Sequence, residues 1–155
     1  MKKLGSLFVL MCLAVSVQAQ LPNKVKKMAG TWHYKFNSGF EVMEIHGDEL
    51  HGMGFRVHRK SMDTACVENV RIRVVNKSLI YTMTNYNVIE DSVFTTVYDF
   101  VSDGRKLKFH NISAPTPYEI HYSFGFLNRN KLIIKVYHGP ETKPIKLHLS
   151  REKDV

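Results

Sequence analysis

Short runs in which apolar and polar residues alternate recur along this chain, and that period of two limits its fold more than any other feature. Successive side chains of an extended strand point to opposite faces, so alternation marks a half-buried strand. The first run covers Thr31 to Phe36, with Trp32, Tyr34 and Phe36 on one face and His33 and Lys35 on the other. Asn37-Ser38-Gly39 turns the chain into Phe40 to His46, and Gly47-Asp48-Glu49 leads on to Leu50 to Arg59. These read as two successive hairpins. A polar connection, Lys60 to Ala65, precedes Val67 to Val75 and Leu79 to Tyr86, which flank an Asn76-Lys77 turn. Asn87 to Asp91 then connects to Val93 to Val101, which faces Lys106 to Asn111 across Ser102-Asp103-Gly104-Arg105. Tyr118 to Leu127 and Lys131 to His138 flank Asn128-Arg129-Asn130, and the last run is Ile145 to Ser150. Pro22 to Ala29 reads as a short helix or an extended lead-in. The sum is about ten strands joined by tight turns. That pattern predicts an all-β fold, an antiparallel up-and-down β-barrel, in which closure removes the exposed edges of an open sheet. A β-sandwich is the alternative.

The N-terminus sets the compartment. Lys2 and Lys3 precede an uncharged apolar stretch, Leu4 to Val17, and Val17-Gln18-Ala19 places small residues at the two positions a signal peptidase reads. The stretch is shorter than the roughly 20 residues needed to span a bilayer. The expectation is a signal peptide over residues 1–19 and a single domain over 20–155, in the periplasm or secreted. A permanent N-terminal anchor and lipidation at Cys12 are the alternatives. Cleavage after Ala19 leaves 136 of the 155 residues, enough for one real core, with no further apolar span. Cys66 is the one cysteine of that domain, so no internal disulfide holds it. Placed between Ala65 and Val67, Cys66 reads as a small packed side chain. The formal net charge is +8, but the lysines alternate with apolar residues along the strands. They read as solvated faces, and nucleic acid is not an expected partner.

Gly30-Thr31-Trp32, at the head of the first strand, resembles the Gly-x-Trp signature of lipocalins and their calycin relatives, in which the Trp plugs the closed end of the barrel. Phe109-His110-Asn111, Pro117, Ile120, Tyr122, the run Leu132 to Val136 and Gly139 are together similar to the C-terminal half of an uncharacterised bacterial lipocalin-like domain family. That family opens on an Ala-Gly-x-Trp-like element and carries acidic residues on the next strand, where this chain has Glu41 and Glu44. Its Gly-x-x-x-Gly-like hairpin has counterparts in Gly47, Gly52 and Gly54. Members often place a His-Asp pair before the proline, where this chain has Ser113-Ala114-Pro115-Thr116. The resemblance implies a calycin-like barrel and no particular activity.

Eight histidines raise the question of metal. His33, His110, His121 and His148 alternate with charged or polar residues opposite apolar ones, so they are expected to face outward. His46 and His58 are read as sharing a face, with His51 in the opposite phase. The spacing matches no zinc signature, and neither a metal nor a cofactor is expected. The stronger candidates for a site are polar residues in phase with apolar ones. Glu44 follows Phe40 and Val42; Asp99 follows Val93 and Val97; Asn111 follows Leu107 and Phe109; Asn85 follows Leu79, Tyr81 and Met83. A charge turned into a barrel is costly unless paired, so Arg56, Arg71 and Arg73 are the expected partners of an inward Glu44 or Asp99. Tyr118, Tyr122, Phe124 and Phe126 form an aromatic stripe, part core and part cavity lining. The candidate ligand-binding set is thus Glu44, Arg56, Arg73, Tyr81, Asn85, Asp99, Asn111 and Tyr122. No nucleophile motif and no phosphate-cradling loop is present. The favoured function is a binding module for a small, largely apolar ligand. The alternatives are a small enzyme using interior carboxylates and a protein acting through its outer surface.

Overall fold

A computed structural model describes residues 20–58, 60–61, 63–89, 92–102 and 106–152. The expected signal segment and residues 103–105 of the expected turn lie outside them.

Among the described residues ten strands form one closed antiparallel barrel. They are β1 (Gly30–Tyr34), β2 (Gly39–His46), β3 (Glu49–Val57), β4 (Thr64–Val75), β5 (Ser78–Ile89), β6 (Ser92–Ser102), β7 (Lys108–Asn111), β8 (Glu119–Phe124), β9 (Lys131–Tyr137) and β10 (Ile145–Arg151). Each strand pairs with the next, and β10 returns to β1 with Trp32 opposite Arg151 and Tyr34 opposite Leu149. This is the closed up-and-down barrel that the alternation predicts, and its architecture is of the calycin/lipocalin type that the resemblance implies.

Local chemistry explains the differences in strand ends. The first strand stops at Tyr34 because Phe36 takes up φ 66° inside a single 3₁₀ turn, Lys35–Asn37. Phe36 is therefore 78% exposed and leaves the stripe begun by Trp32 and Tyr34. Asn76 and Lys77 both have positive φ (49° and 67°), the conformation that a two-residue hairpin loop requires to match the strand twist. Phe126 also leaves the stripe predicted for it: β8 ends at Phe124, and Phe126 lies in the β8–β9 connection.

A short helix, α1 (Asn23–Lys26), covers one end of the barrel with buried Leu21, Val25 and Met28. Beneath it Trp32 is fully buried, and its indole N–H donates to the Met28 carbonyl at 2.7 Å. Arg151 lies 4.3 Å over the Trp32 ring and donates to the carbonyls of Ala29 and Lys27, both at 2.6 Å. Those carbonyls end the α1 segment, so one guanidinium ties the lead-in, β1 and β10 together.

A β-bulge between Gly54 and Phe55 shifts the β3–β4 register. Its extra residue flips the parity of β4 beyond it. Glu68 stands opposite Gly54, while Cys66 stands opposite Phe55 on the outer face. Cys66 is accordingly an exposed free thiol and not the packed side chain its apolar neighbours suggest.

Candidate functional site

The inner wall can be followed strand by strand. Towards the covered end it is apolar and filled, with Leu50, Ile72, Leu79, Phe100, Leu132 and Leu149 all buried. In mid-barrel, Tyr81 packs on Phe100 and Phe109 with ring centroids 5.3 and 5.0 Å apart. The hydroxyls of Tyr81 and Tyr122 are hydrogen-bonded at 3.0 Å. Burial drives both phenols well above their usual pKa, so both remain protonated.

A polar cluster interrupts this wall where β1 to β4 run towards the opposite end. Its members are Tyr34, Glu41, Arg56 and Glu68. Hairpin geometry puts Glu41 there. The Gly47-Asp48 loop pairs His46 with Glu49, and the ladder then sets Met43 opposite Gly52 and Glu41 opposite Gly54. Leu50 is fully buried, so Gly52 and Gly54, two and four residues on, also face inward, and so do their partners Met43 and Glu41. Glycine at both positions lets the side chains of β4 lie against the bare backbone of β3. A Cβ on Gly54 would stand 2.5 Å from Cγ of Glu68, so the Glu68 side chain lies over the bare backbone at that position.

Tyr34 donates its hydroxyl to Oε1 of Glu41 in a short hydrogen bond, and the Arg56 guanidinium lies 4.4 Å over the Tyr34 ring. Glu41 is buried. Burial, and then the charge of Glu68, push its pKa up to about 7, against the pull of the Tyr34 hydrogen bond and of Arg56. Burial also raises Glu68, opposed by Arg56. Both carboxyls thus feel the charge of one guanidinium through space on a largely desolvated wall. The cluster relieves its surplus negative charge by retaining a proton near neutral pH.

Away from the covered end, inward-facing positions are progressively exposed. On β10, Leu149 is buried, Leu147 is half-buried and Ile145 is 53% exposed, although all three share the inner parity. Tyr98, Val136 and Asn85 on the inner wall are also half-buried, and Arg56 is exposed. The barrel therefore has a covered end and a mouth, and the cluster lies between them. The larger recesses lined by described residues, about 300 to 530 Å³, are on the outside of the barrel or at its covered end.

Of the residues expected from sequence, Tyr81, Asn85, Asn111, Tyr122 and Arg56 take inner-wall positions. Asn85 stands opposite Glu68 in the β4–β5 ladder. The Asn111 side chain is occupied by its own loop: it donates to the Pro117 carbonyl at 2.7 Å and accepts from the backbone N–H of Ser113 and Ala114, both at 2.9 Å. Arg56 lies over the Tyr34 ring, and the inward carboxylates whose charge it feels are Glu41 and Glu68, not Glu44 or Asp99. Glu44 is turned outward and bonds His46 at 3.2 Å. Asp99 is also on the outer face. It accepts from the Thr82 hydroxyl at 2.7 Å, and its backbone N–H donates to Ser113 Oγ. Arg73 is exposed on the outer face, two residues from Arg71, which pairs there with Glu49.

The phase of β2 explains the outward Glu44, whereas Asp99 shares a face with Val97, which is itself outward and 53% exposed. Phe40 and Val42 are apolar yet outward, Phe40 stacking on Phe55 with centroids 4.8 Å apart. Taking them as the core face inverted the phase of β2. The same register corrects the histidines: His51 stands opposite Glu44, and its ring lies 4.9 Å from that of His46 on the outer face. His58 is not their companion; it bonds Ser61 at 3.1 Å. Among the described residues no group of three or more His, Cys, Asp or Glu is arranged to hold a metal ion. Glu41 entered the sequence reading only through the family resemblance, and Tyr34 and Glu68 were missed as site residues. The legible signal was the Gly47-Asp48 loop together with inward Leu50, which settles the phase of β2 without reference to Phe40.

No family model, no curated protein and no solved structure matches this chain.

Proposed function

We propose that this protein is an exported, lipocalin-like binding module. Its barrel admits a small, largely apolar ligand through the mouth, and the ligand's hydrogen-bond-donating head meets the Tyr34–Glu41–Arg56–Glu68 cluster. The observation that carries this reading is the surplus carboxyl: a buried Glu41 and a half-buried Glu68 against one arginine, on a wall whose inward apolar residues become solvent-exposed towards the mouth. Ligand pockets combine an apolar lining with a few convergent polar groups, and barrel mouths are a usual place for them. An amine head on an apolar body would supply the missing positive charge and displace the proton that Glu41 holds. A buried charge gains most from a partner where water is excluded.

The test has two parts. Native mass spectrometry of protein recovered from its own host should reveal a co-purifying small molecule. Calorimetric titration at pH 7 should then show a medium-chain alkylamine binding more tightly than the alcohol of equal length, with proton release. Glu41→Gln and Glu68→Gln should each weaken the amine by about tenfold or more, the scale of one charge-assisted contact, and leave the alcohol unchanged. Equal binding of amine and alcohol, or no loss in either variant, would defeat the proposal.

A further inference from the structure

At the covered end, Phe126 and Leu127 stand in solvent, 99% and 93% exposed. Single exposed apolar residues are ordinary; two in succession at a hairpin tip are not. The tip is held in shape from within. Gly125 N–H donates to the Lys131 carbonyl, Lys131 N–H to the Asn128 carbonyl and Asn130 N–H to Oδ1 of Asn128.

The surroundings are basic. Lys27 and Arg129 line a recess of about 300 Å³ beside Phe126, together with Arg151, which is committed to its two carbonyls. Through Lys27 and Phe124 this recess adjoins a groove of about 460 Å³, where Lys106, Lys108 and Lys135 stand over Leu107 and Tyr122. Among the described residues no carboxylate lines either recess.

We propose that this end of the barrel docks on an anionic phospholipid surface. Phe126 and Leu127 enter the boundary between headgroups and acyl chains, and the cationic rim lies against lipid phosphates. Surfaces that lie on membranes pair an exposed apolar contact with surrounding lysine and arginine; the apolar part supplies insertion, and the charge supplies attraction and selectivity for anionic lipid. The proposal is independent of the interior cluster, which faces the opposite end.

The chain beginning at Gln20 is the object to test. It holds all ten strands and the covering helix, and it omits the apolar leader, which would bind lipid by itself. In vesicle flotation it should bind phosphatidylcholine vesicles containing about one third phosphatidylglycerol, and bind pure phosphatidylcholine at least about tenfold less. Phe126→Ser with Leu127→Ser should lower binding to anionic vesicles by about tenfold or more. Lys27→Gln with Arg129→Gln should lower it and leave the remaining binding less sensitive to salt. The exposed tip carries no core contact, so circular dichroism should report an intact fold in both double variants. Trp32 is the only tryptophan and is buried. A blue shift of added fluorescence in Phe126→Trp on mixing with anionic vesicles would therefore report insertion. Binding unchanged by the serine pair would overturn the proposal in favour of a purely electrostatic patch. Failure to float, combined with sedimentation showing self-association that the serine pair abolishes, would overturn it in favour of a second copy of the chain.

Discussion

The two halves of the barrel interior solve the burial of polar groups in opposite ways. Around Trp32 every polar atom has a partner that matches it: the indole N–H meets a carbonyl, and the Arg151 guanidinium meets two carbonyls and an aromatic face. Around Glu41 the partners do not balance, because Glu41 and Glu68 face one Arg56. A matched arrangement stabilises the native state at any ordinary pH. An unbalanced one makes stability depend on proton uptake, and such groups concentrate where a protein binds or reacts. The covered end is thus the structural anchor, and the cluster towards the mouth is where the fold tolerates an unfavourable arrangement.

The largest expected effect is at the anchor. Trp32→Ala removes a fully buried side chain together with the surface on which Arg151 rests, and should cost about 3–5 kcal/mol in urea denaturation. A cost below about 1 kcal/mol would mean that α1 and Arg151 close the barrel without the indole, and the contrast between the two halves would lose its basis.

The cluster should reveal itself through pH. Glu41 is raised in the folded protein to about 7 from an ordinary 4.5, so the folded state binds its proton more tightly than the unfolded chain does. The corresponding stability is fully present below about pH 4.5 and is lost as pH rises through 7. The full loss amounts to roughly 3–4 kcal/mol. Glu68, raised as well, acts with the same sign. Thermal or urea unfolding between pH 5 and 8 should therefore show stability falling with pH, and Glu41→Gln should flatten that slope. A parent protein whose stability is level or rises across this window would show that the carboxyls are compensated after all.

The smallest effect belongs to the same residue types on the outer face. Arg71 donates twice to Glu49, both at 2.6 Å, and the hydrogen bond from Arg71 foremost holds the Glu49 carboxyl down at about 2. Water and salt screen this pair. Glu49→Ala should cost under about 1 kcal/mol, and less at high salt. A larger cost would show that geometry matters more here than burial, and would sharpen the comparison with Glu41 and Glu68.

Local patterns made much of the fold legible. The Asn76-Lys77 turn, the Gly47-Asp48 loop and the alternation along β5, β9 and β10 each act over a few residues, and they suffice to place strands and connections. Tyr81, Asn85 and Tyr122 were found as inner-wall residues because their strands carry an unambiguous apolar face. On β2 both faces carry apolar side chains, Phe40 and Val42 outward and Met43 inward, so alternation alone does not choose between them. On β4 the bulge reverses the phase between Cys66 and Glu68, and nothing near those residues announces it.

The Gly-x-Trp resemblance implied a Trp that plugs a closed end, and by itself the sequence determined that the chain is a meander of about ten antiparallel strands. That follows because turn chemistry and strand period are short-range. Tertiary structure alone decided which carboxylates face inward. That choice rests on cross-strand register, on one extra residue at a bulge and on the room left by Gly54, and each of these joins residues far apart in the chain. It brought Glu41, Glu68, Tyr34 and Arg56 to one place on the wall, turned Glu44 and Asp99 to water, and left Phe126 and Leu127 projecting from the end that Trp32 closes.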